Sequence, residues 1–243
     1  MNRKNLFESY NLIDIAIERL RTFEPPEGYY LAFSGGKDSI CIKKIADIAG
    51  VKYDAHYNVT TIDPPDWEKP ETPFLKEMVK RGFPQRHRRW CCEYLKEKGG
   101  AGRLVITGVR WAESMQRAKR KSVEHCTKDK SKIYINPIIE WTDDDVWEFI
   151  HMYKIPYCGL YDEGWKRIGC LFCPMAGKRR LIEANRFPKY RRAFIRYFQL
   201  LYDKKKSEGK TSVDRWKDGE EMFNWWISEE KSSDIPDQCV MFE

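Results

Sequence analysis

A strand, a glycine-rich turn and a helix follow one another without interruption near residue 30, and this order constrains the fold more than any other feature. Residues 29–33 form a short apolar run bounded by prolines and a glycine, which predicts a buried strand. Residues 34–39 read SGGKDS, and apolar residues at helical spacing then continue to Ala49, with Gly50 as the expected C-cap. The pattern predicts that the turn connects a strand to the start of a helix.

The turn has the chemistry of an anion-binding loop. Gly35 and Gly36 allow a tight turn and leave backbone N–H groups uncovered, and a helix N-terminus adds partial positive charge. Lys37 can add a full charge, while Ser34 and Ser39 can donate hydroxyl groups. The spacing differs from the common nucleotide-triphosphatase loop, which has four residues between its first glycine and a Gly-Lys pair. The six-residue string favours phosphate binding over a plain connecting turn.

Composition limits the class of protein and of partner. With 243 residues and 42% apolar content, the chain can form a sizeable core, and no apolar run approaches the ~20 residues that span a bilayer. The N-terminus lacks an apolar signal core, so we expect a cytoplasmic protein without a membrane partner. The net charge of +7 indicates an anionic partner, namely a nucleotide, a sulfate ester or a nucleic acid.

Two further strands are expected to bring polar residues to the same crevice. Residues 51–61 predict a second parallel strand, and residues 104–107 predict another that is followed by Arg110. A guanidinium at this position can bind phosphate or sulfate with two hydrogen bonds. The predicted nucleotide-binding residues are Ser34, Gly35, Gly36, Lys37, Asp38, Ser39, Thr60, Asp63, Gly108, Arg110 and Arg117, of which Lys37, Asp38 and Arg110 are the catalytic candidates.

The remaining segments predict mainly helices around this sheet. Apolar spacing predicts helices over residues 5–23 and 72–81, and residues 133–139 predict a strand. Residues 117–132 are rich in basic residues and serine, which is typical of a mobile loop, a lid or a disordered insertion. Three aspartates follow Thr142, and we interpret them as the capped first turn of a helix rather than as a metal site.

The C-terminal part predicts helices with a large aromatic content. Residues 181–204 are basic and aromatic at helical spacing, which favours a packed helix over nucleic-acid contact. The tryptophans after residue 215 suggest a last helix that folds back on the body. The predicted organisation is therefore an α/β domain over residues 1–180, with a doubly wound and mainly parallel sheet, followed by a helical part over residues 181–243.

Four of the eight cysteines form a pattern typical of a metal centre. Cys91 and Cys92 are adjacent, and Cys170 and Cys173 form a Cys-x-x-Cys turn. In a reducing cytosol such pairs indicate metal binding rather than disulfides. Four thiolates can hold either zinc or a [4Fe-4S] cluster, and the adjacent pair is unusual for zinc.

Two resemblances extend these interpretations. SGGKDS resembles the pyrophosphate-binding loop of the ATP-pyrophosphatase superfamily, which has an adenine nucleotide alpha-hydrolase-like fold. Residues 137–174 resemble the phosphoadenosine phosphosulfate (PAPS) reductase family in three places: a Trp-Thr-x-x-Asp-Val-Trp helix, a Leu-Tyr-x-x-Gly turn and an Ile-Gly-Cys-x-x-Cys-Pro end. The resemblance implies ATP bound with Mg²⁺, cleavage between its α- and β-phosphates, and one [4Fe-4S] cluster on the four cysteines.

Two departures from the family narrow the functional hypotheses. The chain has no Glu-Cys-Gly-Leu-His segment after Cys173, whereas sulfonucleotide reductases end in one, and its SGGKDS loop is of the intact ATP type. We therefore expect a cluster-bearing, phage-type PAPS-reductase-like enzyme that adenylylates an acceptor for sulfur chemistry. The first alternative is an adenylyl-sulfate or PAPS reductase with Cys239 as its nucleophile. The second is a metal-stapled module that binds nucleic acid through residues 86–89 and 178–192. A nucleic-acid acceptor and a homo-oligomer are further hypotheses.

Overall fold

The computed structural model describes residues 2–4, 9–57, 74–96 and 99–228. In this part of the chain seven strands and eight α-helices follow the sequence. The strands are β1 (Asn2–Lys4), β2 (Ser9–Asn11), β3 (Tyr29–Phe33), β4 (Tyr53–Tyr57), β5 (Leu104–Ile106), β6 (Val123–His125) and β7 (Ile133–Ile135). The helices are α1 (Leu12–Thr22), α2 (Lys37–Ala49), α3 (Phe74–Arg81), α4 (Trp90–Leu95), α5 (Asp143–Met152), α6 (Arg179–Arg186), α7 (Pro188–Ser207) and α8 (Gly219–Ser228).

The main sheet has the order β4-β3-β5-β7-β6. Strand β3 pairs in parallel with both β4 and β5, and β5 pairs in parallel with β7. Counted along the chain, the four parallel strands therefore have the order 2-1-3-4, which is that of a doubly wound sheet with its switch point between β3 and β5. The predicted fold class, an α/β fold with a doubly wound and mainly parallel sheet, is confirmed.

Two units divide the chain, and their boundaries differ from the predicted one at residue 180. The first unit consists of Met1–Asn58 and Lys98–Ile168, and the second consists of Val59–Glu97 and Gly169–Glu243. The chain thus leaves the first unit after β4 and returns before β5. Hydrophobic periodicity is local and cannot show such an excursion, because each helix has the same pattern whichever core it joins.

Each unit has its own hydrophobic core. In the first, helices α1, α2 and α5 contribute to a cluster that includes Leu31, Ile106 and Trp141. In the second, the helices surround a largely aromatic cluster that includes Phe194 and Trp226. The predicted C-terminal helices and the predicted last helix are confirmed. No helix in the described ranges is both long and apolar enough to cross a bilayer.

Local signals set the ends of the two helices that lead into the site. Helix α2 follows Gly36, whose backbone is extended, and ends at Gly50 with φ +71°, where the Gly50 N–H contacts the carbonyl oxygens of Ala46 and Asp47. Helix α5 begins in a capping box, in which Thr142 and Asp145 bond to each other's backbone N–H. Both predicted caps are confirmed.

Two predictions of local structure were wrong. The first helix begins at Leu12 rather than near residue 5, because Asn11 ends strand β2 and accepts the Ile13 N–H at 3.0 Å. Residues 117–132 are not a disordered insertion, because they contain β6, which pairs antiparallel with β7. Strand β6 has only three residues, so its own sequence does not predict it. It forms by pairing with the edge of β7.

Candidate functional site

The glycine-rich turn lies directly after β3, at the switch point of the sheet. Gly35 has φ +70°, a left-handed conformation that favours glycine. The Ser39 hydroxyl donates to the Gly36 carbonyl oxygen at 2.8 Å, and the Ser34 hydroxyl lies 3.2 Å from that of Ser39. The Ser39 and Ile40 N–H groups bond to the Gly36 carbonyl oxygen, at 2.9 and 3.1 Å, so the start of α2 attracts an anion mainly through its partial positive charge.

Lys37, the first residue of α2, is buried with its charge paired. Its Nζ lies 2.7 Å from Asp143 Oδ1 and 3.2 Å from Asp38 Oδ1. Its backbone N–H donates to the Tyr161 hydroxyl oxygen at 2.9 Å. Burial raises the pKa of Tyr161 to about 12, so the hydroxyl stays protonated at neutral pH and keeps its own proton to donate.

Arg110 joins the same two carboxylates from the neighbouring strand end. Its side chain is only 2% exposed, with Nε 2.7 Å from Asp38 Oδ1 and Nη2 2.6 Å from Asp143 Oδ1. Nη1 donates to the Trp141 carbonyl oxygen at 3.1 Å. Burial alone would lower the pKa of Arg110, but Asp38 and Asp143 outweigh it and raise that pKa. The guanidinium is therefore a permanent cation.

The four side chains form one charge-neutral network, in which each carboxylate contacts both cations. Partial burial would raise the pKa of Asp143, but hydrogen bonds from Lys37 and Arg110 outweigh it and lower that pKa. Asp143 therefore stays ionised at neutral pH, although its side chain is 68% exposed. An anion that enters the turn can attract Lys37 only in competition with Asp143 and Asp38.

Gly108 allows the strand end that carries Arg110 to approach α2. A Cβ at Gly108 would lie 3.0 Å from Asp38 Cβ and 3.1 Å from the Asp38 backbone carbonyl carbon. Arg117 lies further along the chain, in a short 3₁₀ turn, and pairs with Glu113. Glu113 also accepts the Arg110 backbone N–H at 3.0 Å.

The structure brings together most of the residues predicted for nucleotide binding, but not all. The turn and the network contain Ser34, Gly35, Gly36, Lys37, Asp38, Ser39, Gly108 and Arg110. Arg117 bonds to Glu113 rather than to the network. Thr60 and Asp63 lie outside the described residues. That these residues contact a nucleotide stays a prediction.

Sequence reasoning missed Asp143 and Tyr161. Asp143 was interpreted only as part of a capped first turn, yet it contacts both Lys37 and Arg110. The signal was available, since α5 follows β7 and the carboxyl ends of parallel strands share one edge. Tyr161 lies within the Leu-Tyr-x-x-Gly turn, a motif that carried the family resemblance without a role for its tyrosine.

The four predicted metal-binding cysteines all belong to the second unit. Cys91 and Cys92 lie in α4, while Cys170 and Cys173 lie in the turn before a 3₁₀ segment at Pro174–Ala176. A hydrogen bond with Cys92, burial, and the proximity of Cys92, Cys170 and Cys173 together raise the pKa of the Cys91 thiol. As thiolates these groups would repel one another, and a bound cation would relieve that repulsion.

The thiols do not yet have the geometry of a ligand set. Among the described residues, no three side chains of His, Cys, Asp or Glu are arranged to hold a metal ion. The chemistry of the donors fits a thiophilic metal or an iron–sulfur cluster, and the electrostatic coupling of the four thiols agrees with that fit. The cluster stays a prediction.

A buried carboxylate supports the Cys-x-x-Cys turn. Phe172 lies between the cysteines with φ +56°, which is an uncommon conformation for a residue other than glycine. Its N–H donates to Glu183 Oε2 at 2.5 Å, and Glu183 Oε1 accepts from Arg179 Nε at 2.8 Å. Glu183 is fully buried, and burial raises its pKa. Helix α6 thus holds the backbone between Cys170 and Cys173.

Parts of the chain are similar to known proteins. Residues 66–176 match the phosphoadenosine phosphosulfate reductase domain. An uncharacterized protein of Methanocaldococcus jannaschii is 29% identical over 186 residues, which cover 65% of this chain and 39% of that protein. An adenosine 5'-phosphosulfate reductase of Geobacillus thermodenitrificans is 37% identical over 89 residues, which cover 34% of this chain and 37% of that protein. The chain therefore spans about two fifths of the length of these relatives.

A crystal structure of a phosphoadenylyl-sulfate reductase from Candida auris, in a phosphate complex, is similar to this chain over 64% of its residues and 87% of that chain. The TM-score is 0.49 and the sequence identity is 20%.

The sheet order and the glycine turn at the switch point define a doubly wound α/β protein. Within this class, residues 66–176 match the phosphoadenosine phosphosulfate reductase domain, the family that the motifs resemble. That the chain is a cluster-bearing, phage-type PAPS-reductase-like protein stays a prediction.

Proposed function

We propose that this chain is a nucleotide-modifying enzyme that binds ATP with its β- and γ-phosphates on the turn at Ser34–Ser39 and transfers the adenylyl group to an acceptor. The observation that carries the proposal is the position of the turn. It joins β3 to the N-terminus of α2 at the switch point, where doubly wound proteins bind their ligands. Pyrophosphate is the leaving group of such a reaction.

We infer roles for the side chains next to the turn from their contacts in the charged network. The Lys37 ammonium group can exchange its acceptors, from the carboxylates of Asp143 and Asp38 to the phosphates, because its side chain is flexible. Arg110 holds Asp38 and Asp143 in place with its planar guanidinium and adds positive charge near the bridge between the α- and β-phosphates. A Mg²⁺ ion bound with the nucleotide would offset phosphate charge, and Asp38 or Asp63 would help to position it.

A sulfonucleotide is the second candidate substrate. Adenylyl sulfate carries a sulfate where ATP carries its β-phosphate, so the same turn can accept it. The similarity to an adenosine 5'-phosphosulfate reductase of Geobacillus thermodenitrificans favours this candidate. The two substrates are separated by their products, since ATP would release pyrophosphate and adenylyl sulfate would release sulfite after reduction.

Replacing Lys37 by glutamine is expected to weaken binding of Mg·ATP by about tenfold to a hundredfold, because it removes a charge-assisted contact to phosphate. The matched control is Lys43→Gln on the same helix, where Lys43 is exposed and pairs with Asp47. Isothermal titration calorimetry with Mg·ATP, and separately with adenosine 5'-phosphosulfate, measures both variants. The proposal would be wrong if Lys37→Gln bound both nucleotides as tightly as the wild type.

The four cysteines are proposed to hold one [4Fe-4S] cluster, with zinc as the alternative. We expect about four irons per chain and a broad visible absorption band in protein purified without oxygen. Cys173→Ser is expected to lose most of the metal, because it removes one of four thiolates, whereas Cys158→Ser should retain it. Iron and zinc analysis of the three proteins is the measurement. One zinc per chain would mean that the cysteines form a structural zinc site. If Cys173→Ser contained as much metal as the wild type, the cysteines would not be the ligands.

A further inference from the structure

A positively charged cavity in the second unit lies outside both the glycine turn and the cysteine pairs. Its volume is about 160 Å³. The cavity is lined by Arg81, Gly82, Phe83, Gln85, Arg88, Trp90 and Lys205. Three of these residues are cations at neutral pH and none is acidic. Trp90 directly precedes the adjacent cysteines Cys91 and Cys92.

The fold builds the walls of this cavity from fixed contacts. Helix α3 is followed by Gly82, which has φ +84° and donates its N–H to the Met78 carbonyl oxygen at 2.8 Å. The Trp90 indole donates from Nε1 to the Gly82 carbonyl oxygen at 3.0 Å, which fixes the aromatic wall. Lys204 Nζ donates to the Val79 carbonyl oxygen at 3.4 Å and ties α7 to α3.

The cations of the cavity have few acidic partners. Arg81 Nε lies 2.9 Å from Glu77 Oε2, but Glu77 also pairs with Lys80 at 3.0 Å, so one carboxylate serves two cations. The Arg81 guanidinium also lies 4.9 Å above the Tyr94 ring, a contact that leaves hydrogen-bond donors at its edge. In the described ranges, no carboxylate pairs with the side chains of Arg88 or Lys205.

We propose that this cavity binds a phosphate group, and that the phosphate belongs to a polynucleotide strand. The residues that line the cavity include two arginines and a lysine and no carboxylate, which is the residue chemistry that recognises a phosphate oxyanion. Positive charge also continues outside the cavity at the exposed Arg89, so that a strand could make a further contact there, whereas Lys206 pairs with Asp214 at 3.0 Å. A free phosphate ion has the same chemistry, and binding measurements separate the two sources.

The experiment compares the wild-type chain with the double variant Arg88→Gln/Lys205→Gln, which replaces two cations by neutral polar side chains. The probes are a fluorescent single-stranded RNA oligonucleotide, followed by anisotropy, and inorganic phosphate, tested as a competitor against sodium chloride at equal ionic strength. We expect the double variant to bind the oligonucleotide about tenfold more weakly or worse. The slope of log affinity against log salt should become shallower by about 1.4, or ~0.7 for each lost phosphate contact.

The matched control is Lys217→Gln, because Lys217 is an exposed cation in the same unit but does not line the cavity. This variant should bind the oligonucleotide as the wild type does. If the control and the double variant lost the same affinity for the oligonucleotide, the loss would reflect only general charge attraction, and the proposal would be wrong. Unchanged binding in the double variant would also overturn it. A third result is that inorganic phosphate binds the wild type but not the double variant, while neither protein binds the oligonucleotide. The cavity would then be a phosphate site, and the proposal that the phosphate belongs to a polynucleotide strand would be wrong.

Discussion

Replacing Arg110 by glutamine is expected to lower the free energy of unfolding by about 3 kcal/mol, because it removes the most buried member of a charged network. The guanidinium bonds to Asp38, Asp143 and the Trp141 carbonyl oxygen, and only Lys37 would remain to balance the two carboxylates. The cost of breaking a buried ion pair is about 3–5 kcal/mol. We expect the lower end, since the Asp143 side chain is 68% exposed and water can solvate it. Urea denaturation followed by circular dichroism measures the change.

The control for Arg110→Gln is an exposed ion pair in the same unit. Lys43→Gln breaks a pair with Asp47 on the surface of α2, and it should cost about 0.5 kcal/mol or less. A double variant, Arg110→Gln/Asp143→Asn, should recover part of the loss, because it removes a carboxylate that the single variant leaves without its arginine. A loss below about 1 kcal/mol in Arg110→Gln would mean that the network contributes little to stability.

The same network shows where prediction from the sequence stops. The strand, turn and helix around Gly35 could be predicted because each depends on residues within a few positions of itself. The partners of Arg110 could not, since Asp38 and Asp143 come from two other segments of the chain. The sequence predicted that Arg110 can bind phosphate or sulfate, but not that its guanidinium already bonds to two carboxylates.

The boundaries of the units depend on contacts of the same long-range kind. Helix α3 was predicted correctly from its apolar spacing, yet that spacing does not reveal that it packs with α7 rather than with the sheet. The aromatic residues after residue 180 predicted helices, but not that Phe74, which precedes them by more than a hundred positions, joins their core. Local patterns thus predicted the elements, while the assignment of each element to a unit required the structure.

The cysteine pattern is an intermediate case. Spacing predicted four thiolates at one metal, which stays a prediction, but it did not predict which residue supports the Cys-x-x-Cys turn. Glu183 supplies that support, and replacing it by alanine is expected to cost about 3 kcal/mol or more. The change leaves the buried Phe172 N–H without its acceptor and Arg179 without its carboxylate. Because Phe172 has φ +56°, its backbone should then relax toward a commoner conformation and separate Cys170 from Cys173. Urea denaturation and metal analysis of the purified protein measure the two effects.

Two further variants separate the hydrogen bond from the charge and from general destabilisation. Glu183→Gln keeps an oxygen that can accept the Phe172 N–H, so it should recover a large part of both stability and metal content if that hydrogen bond is the important contact. Glu220→Ala on α8 breaks an exposed pair with Arg191 and should cost no more than about 1 kcal/mol, with metal content unchanged. If Glu183→Ala lost stability but retained all of its metal, Glu183 would support the helical core rather than the Cys-x-x-Cys turn. If Glu183→Gln were as damaging as alanine, the ion pair with Arg179 would be the contact that matters, because glutamine removes the charge and keeps the acceptor.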